Sequence, residues 1–224
     1  VPINGMENGK VYWSNWSGLS DVSQFIQVQR GLGASALGIS SVGGTMNMVT
    51  KSTEAQKGGS AYFGIGNDGF RKYSVSFSTG LMDNGWAITF MGALNTGDGY
   101  VKGTNYEGWT YFGNISKVIN DHHKLSLTAF GAPQWHNQRS TMHYIEDYKN
   151  SPDGGRFNNG YGYINGEAVG SGYGYNYYHK PQVSLNHYWT IDDKSTLTTS
   201  LYGSMATGGG RRARGAMSNW LTID

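Results

Sequence analysis

From Ser60 onward the chain alternates with period two, and the alternation recurs through residues 60–66, 71–80, 86–95, 109–119, 124–132, 181–190 and 195–206. In the second segment Tyr73, Val75 and Phe77 fall on one side, with Lys72, Ser74, Ser76 and Ser78 on the other. In the third, Trp86, Ile88, Phe90 and Leu94 oppose Ala87, Thr89, Ala93 and Asn95. The fifth sets Leu125, Leu127 and Ala129 against Ser126 and Thr128, and the last sets Leu197, Leu201 and Met205 against Thr198, Ser200 and Ser204. Successive side chains of a strand point to opposite faces, so this pattern predicts antiparallel strands with one apolar face and one small polar face. No run approaches the ~20 apolar residues of a membrane helix, so any crossing of a bilayer falls to strands.

Alternation alone fits either a soluble β-sandwich or a membrane barrel. Connection lengths separate the two. After the hairpin at Asn67-Asp68-Gly69, short turns (residues 81–85, 120–123 and 191–194) share one end, and long connections (96–108 and 133–180) share the other. Tight turns at one rim and long loops at the other are the asymmetry of an outer-membrane barrel. The apolar faces carry no charge apart from Lys117, beside a short turn, where its stem can snorkel to an interface. Trp86, Trp109 and Trp189 stand near strand ends, where aromatic girdles belong. With 16 Tyr, 7 Trp and 8 Phe but only 14% charged residues, a soluble sandwich would expose aromatic surface that needs a partner. A formal charge of +2 is too balanced to argue for nucleic acid, and the absence of cysteine excludes a disulfide scaffold.

The junction before these strands admits a second reading. Gly31-Leu32-Gly33-Ala34-Ser35-Ala36 follows an apolar strand and matches the dinucleotide fingerprint G-x-G-x-x-A, with Glu54 where a ribose-binding acid would stand. That site needs a helix aimed at the pyrophosphate, and only residues 34–42 are available before Gly43-Gly44. No later segment has a helical period to build a βαβ crossover, so the match is incidental to a backbone that must turn tightly.

Residues 1–51 carry a more specific signature. Val1-Pro2-Ile3-Asn4-Gly5-Met6-Glu7-Asn8, Ile26-Gln27-Val28-Gln29-Arg30-Gly31, Ala36-Leu37-Gly38 and Val42-Gly43-Gly44-Thr45-Met46-Asn47-Met48-Val49-Thr50-Lys51 occur in that order. This succession resembles the end of the plug domain of TonB-dependent outer-membrane receptors. In that family V-x-x-[DN]-G leads to I-E-V-x-R-G, then to Y-G-S-x-A-x-G-G-x-I-N-I-V-T-K, and the first barrel strand follows. Gln27 stands where the family usually has an acid, and Leu37-Gly38-Ile39-Ser40 replaces Y-G-S. Arg30, Gly31, Gly38, Gly43, Gly44, Asn47 and Lys51 are the positions that match the plug motif.

The resemblance implies an all-β fold: residues 1–57 as the C-terminal part of a plug, and residues 58–224 as the N-terminal strands of a transmembrane antiparallel barrel. Seven strands of a barrel of about 22 are expected here, with the earlier plug, its TonB box and the remaining strands lying outside this chain. The function implied is energised import of a scarce nutrient, of siderophore, cobalamin, glycan or peptide class, across the outer membrane of a Gram-negative bacterium. The implied partners are the TonB complex, outer-membrane lipid or lipopolysaccharide, and a possible surface lipoprotein. The alternative is a barrel serving as scaffold, adhesin or assembly partner with an inert plug.

In this family substrate meets plug apices and external loops. Tyr12, Trp13, Asn15 and Trp16 form the candidate apex, or else pack the plug against the wall. Tyr161, Tyr163, Tyr173, Tyr175 and Tyr177 lie in the longest loop, where tyrosine offers an apolar face and a hydroxyl at low entropy cost, or else form a mobile lid. Arg211-Arg212-Ala213-Arg214 could attract an anionic substrate or lipopolysaccharide phosphate, or stay solvated. The six histidines show no metal-ligand spacing, no cofactor is implied, and no catalytic arrangement of nucleophile, base or paired carboxylates stands out, so the chain does not read as an enzyme.

Overall fold

The computed structural model describes residue 3 and residues 10–31, 43–50, 55–139, 142–164, 167–169 and 174–211. Each alternating segment becomes a strand. In chain order they are β1 (Ser23–Arg30), β2 (Gly44–Thr50), β3 (Gly58–Ile65), β4 (Arg71–Leu81), β5 (Trp86–Gly97), β6 (Tyr106–Val118), β7 (His123–Gly131), β8 (Gln134–Asn137), β9 (Gly162–Ile164), β10 (Glu167–Val169), β11 (Tyr175–His179), β12 (Gln182–Asp192), β13 (Ser195–Ser204) and β14 (Thr207–Gly210). β1 and β2 form an antiparallel hairpin of their own. The large sheet is an antiparallel meander in the order β13-β12-β7-β6-β5-β4-β3, with β8, β11 and β14 extending it. Its two outer strands, β3 and β13, close on no partner among the described residues.

The ladder runs further than the alternation predicts. Phe112 lies opposite Phe130, and Gly108 opposite Gln134, so β8 prolongs β7 without a register slip. Likewise β11 leads into β12 in register against β8 and β7, and β14 continues β13. Three strands therefore project past the rim, and what was read as one loop from residue 133 to 180 narrows to residues 138–174 between the ladders.

The register stacks like with like. Ile88, Ile115, Leu127, Leu185 and Leu201 face one another across five strands in one row. In a neighbouring row on the opposite face lie Thr89, Asn114, Thr128 and Ser184. The aliphatic row is exposed, whereas Asn114 is 1% exposed. At this level the sheet is inverted relative to one that folds in water: the aliphatic row points away from the covered side, and the hydroxyls and amides of its neighbour point into it.

Inward hydroxyls and amides of β3–β7 pair with one another. The Asn114 amide donates to Ser126 Oγ and Thr128 Oγ1 at 2.8 Å each, and Ser116 Oγ donates to Asn114 Oδ1 at 2.7 Å. Ser60 and Ser76 share a hydrogen bond of 2.8 Å, and Thr89 donates to Ser78 at 3.2 Å. Buried polar groups are tolerated when paired in this way. On the outward face Lys117, at the short-turn rim, donates to the Asn84 carbonyl at 2.6 Å and lies 5.1 Å over the Trp86 ring. Its charge is thus drawn off the apolar band toward the edge, as its position in the sequence predicts.

Tyrosines roof glycines on adjacent strands. A side chain at Gly131 would collide with the Tyr111 ring, one at Gly97 with Tyr106 and one at Gly208 with Tyr178. The glycine leaves the space, and the ring on the neighbouring strand covers the bare backbone.

Candidate functional site

The N-terminal segment docks on the inward face of the sheet. A 3-10 turn at Trp13–Trp16 is followed by Gly18, whose φ of +79° makes the bend that starts the one-turn helix α1 (Leu19–Val22). Any side chain at Gly18 would strike the Thr110 hydroxyl, so glycine is required for conformation and for clearance alike. The close approach lets Thr110 Oγ1 donate to the Ser17 carbonyl at 3.0 Å. Trp16 stacks on Phe130 with centroids 6.0 Å apart, and Lys180 Nζ lies 5.7 Å from the centroid of the Trp16 ring. Trp16, Val22, Met91, Ala93, Phe112, Phe130 and Ala132 form the core, with Ile3, Val11 and Leu19 packed against it. The apolar core is thus shared between segment and wall.

An ion pair ties the same segment to β4. Lys72 Nζ donates to both Asp21 carboxylate oxygens, at 2.8 and 2.7 Å. Gln27, where the resemblance would place an acid, instead accepts from the Asn47 amide at 3.1 Å inside the β1–β2 hairpin. The charge that reaches the wall comes from Asp21. Both partners are 26% exposed, so a double-mutant cycle with Asp21→Asn and Lys72→Met should return a coupling of about 0.2–1 kcal/mol. Chemical denaturation of the full-length protein checks it, and additive single effects would show that the pair holds nothing.

The described parts of the long loops form a deck at the rim away from the short turns. Arg156 pairs with Asp68 at 2.6 Å, donates to the Tyr100 carbonyl at 3.1 Å and lies 4.7 Å over the Tyr100 ring. Lys102 pairs with Asp153, and Asn158 donates to the Lys102 carbonyl at 2.7 Å. Arg139 donates to the Phe157 carbonyl at 2.7 Å, next to a cluster of His143, Tyr148 and Phe157 that includes helix α2 (Ile145–Asn150). The longest loop is therefore pinned to the connections at residues 66–70 and 98–105.

Between segment and deck, the inward face of the extended strands presents Tyr106, Gln134, His136, Asn176 and Tyr178, by register with Thr110 and Phe112. His136 bridges Gln134 Oε1 at 2.7 Å and Gln138 Oε1 at 3.3 Å. Gln134 Nε2 is buried and has no hydrogen-bond partner. These groups offer hydrogen bonds and ring faces to a guest. None of them forms a nucleophile–base pair.

The residues singled out in the sequence separate into three environments. Tyr12 and Trp13 are exposed, with Asn15 half-buried beside them. Trp16 is 4% exposed and belongs to the wall contact, the packing alternative for that residue. Tyr161 roofs Gly103 in the deck. Tyr175 and Tyr177 lie opposite Asn137 and Trp135 and share the outward face with Tyr111 and Leu127, so they point away from the lumen. Sequence reasoning missed Asn176 and Tyr178 between them, though parity counted through Pro181 from Val183 and Leu185 would have found the inward pair. The side chain of Tyr163, and Tyr173, Gly38 and Lys51, lie outside the described residues, whereas Arg30, Gly31, Gly43, Gly44 and Asn47 occupy the β1–β2 hairpin and its ends. His123 and His187 meet at 3.0 Å on the outward face near the short turns, and among the described residues no three metal-ligating groups converge.

No family model and no curated protein matches the chain by sequence. Solved structures do match its fold. The ferric-catecholate import receptor Fiu of E. coli K12, in an open form, superposes with a TM-score of 0.68 at 15% identity over 84% of this chain and 29% of the receptor. The siderophore receptor PiuA of Acinetobacter baumannii gives 0.59 at 15% identity over 84% of this chain and 26% of its own. The chain spans under a third of each receptor. A docked N-terminal segment, an antiparallel meander open at both edges among the described residues and these two neighbours together show that the chain has the fold of part of such receptors.

Proposed function

We propose that the chain belongs to an outer-membrane transporter that imports a scarce nutrient under TonB drive, with a ferric siderophore as the substrate class to test first. On this reading residues 1–57 close the plug and residues 58–224 open the barrel. The observation that carries it is the inverted sheet: an apolar outward row matched to lipid, and an inward face where a polar row adjoins the patch of Met91, Phe112 and Phe130 on which residues 11–22 pack. An open sheet edge in lipid leaves backbone groups unpaired at several kcal/mol each, so further strands must complete the barrel. Tyr12, Trp13 and Asn15 from the plug, with Tyr106, His136, Asn176 and Tyr178 from the wall, form the ligand mouth. The siderophore class is favoured because both structural neighbours are receptors for such ligands.

Uptake of radio-iron from a panel of siderophores tests this in cells carrying the full-length gene. Uptake is expected to vanish on deletion of the gene and equally on removal of its TonB box. Normal uptake without the box would leave a barrel with an inert plug and overturn the transport reading. Loss of cobalamin or glycan uptake instead would retain transport and move the substrate class.

A further inference from the structure

At the short-turn rim of the outward face two imidazoles meet end to end. His123 Nδ1 and His187 Nε2 are 3.0 Å apart, the ring planes differ by 13° and the centroids are 5.2 Å apart. The difference between the two distances is close to the two ring radii. The rings are therefore nearly coplanar, and both nitrogens lie close to the line between the ring centres. Such a contact has a proton on one nitrogen and a lone pair on the other. We propose that a monovalent copper ion can take the place of that proton, so that His123 and His187 form a two-coordinate copper(I) site.

The ladder sets the pair up. Trp189 lies opposite His123 and Leu125 opposite His187, so the two histidines are diagonal neighbours on one face of β7 and β12, within reach of ring side chains. Both are half-buried, and the Trp189 ring stacks on His123 with centroids 5.5 Å apart. Metal–imidazole bonds are about 2 Å long, so an ion on this line needs the nitrogens to part to about 4 Å without turning either ring. His123 begins β7, so that shift falls at the end of the ladder and not in its middle. The number and direction of the donors choose the metal. Zinc sites take at least three protein ligands, and among the described residues no third metal-ligating group joins these two. His122 is engaged elsewhere, its Nδ1 donating to the Thr190 carbonyl at 2.8 Å. Copper(II) and nickel(II) ask for tetragonal sites, in which neighbouring donors meet the metal at a right angle, whereas here two donors face each other. Opposed imidazoles suit the linear coordination of a filled-shell, singly charged ion. The pair lies on the face away from the ligand mouth, so the site does not depend on what the protein transports.

The full-length protein in mild detergent provides the test, titrated without oxygen with copper(I) against a chromogenic copper(I) chelator. A copper ion should be retained, and its X-ray absorption should show two nitrogen neighbours and the edge feature of linear copper(I). His123→Phe and His187→Phe should each weaken retention by about tenfold or more, while His122→Phe leaves it unchanged. Phenylalanine keeps a flat ring at each position, and heat-modifiable gel mobility reports whether each variant has folded. Because each histidine supplies half of the site, either folded variant decides, and the parent's absorption spectrum decides if neither folds. No retention by the parent, or equal retention by the folded His123 and His187 variants, would overturn the site and leave the pair as a hydrogen bond only. Three- or four-coordinate copper, lost on His122→Phe, would overturn the linear pair.

Discussion

Trp16→Ala should release the N-terminal segment from the barrel wall, at a cost of about 3–5 kcal/mol. The ring is 4% exposed and stacked on Phe130, with the Lys180 ammonium close by, so its removal leaves a void that two walls must collapse into. Neighbouring contacts cannot make good the loss, because the Thr110–Ser17 hydrogen bond and the Lys72–Asp21 pair both depend on the segment lying where Trp16 places it. Hydrogen exchange in the full-length protein should show the amides of residues 17–23 losing protection by a factor of about 10² to 10³. Trp13, at 56% exposure, supplies the control, and Trp13→Ala should shift stability by no more than about 0.5 kcal/mol. Equal exchange in the two variants would mean that the segment is held by something other than its aromatic contact.

Leu127→Arg places a charge in the middle of the outward aliphatic row and should cost about 2–4 kcal/mol of barrel stability in lipid. Its neighbours are Ile115 and Leu185, so no polar group is at hand to receive the guanidinium. Leu197 lies on the same outward face but close to the short turn, and Leu197→Arg should cost only about 0–1 kcal/mol because the side chain reaches the interface. Reversible unfolding of the full-length protein in phospholipid vesicles measures both. A cost that does not depend on depth would show that this face packs against protein and not against lipid.

Strand positions and faces are legible in the sequence wherever one face is greasy and the other small and polar. Residues 71–80 and 86–95 contain that contrast at almost every step, and β4 and β5 extend them by only a residue or two. Where the contrast fades, so does the signal. The start of β6 at Tyr106 is hidden because Glu107 occupies an outward position, which breaks the apolar side of the pattern without breaking the ladder. β8 and β11 are invisible to alternation because Trp135, Asn137 and Tyr175 on one face and His136, Asn176 and Tyr178 on the other are all aromatic or polar, and β14 because it is a threonine and three glycines. The two prolines at 133 and 181 also read as breaks, although their carbonyls remain useful: Trp109 N–H donates to the Pro133 carbonyl at 2.8 Å. The candidate site suffered most from this, since the face on which a tyrosine lies decides whether it meets a ligand or the surroundings of the barrel. Trp16 could not be separated from Trp13 at all, because burial against Phe130 depends on a partner more than a hundred residues away.

The rings that roof glycines have a consequence for how this chain can change. Tyr111 fits only while residue 131 lacks a side chain, and the bare backbone at 131 is covered only while residue 111 carries a ring. Substitution at either position alone meets a collision or a hole, so the two effects are not additive, and a smaller residue at 111 relieves the penalty at 131. Gly97 with Tyr106 and Gly208 with Tyr178 are bound by the same rule. The 35 glycines and 16 tyrosines are therefore not separate tallies. Across diverging descendants, these partners should be inherited together or replaced together.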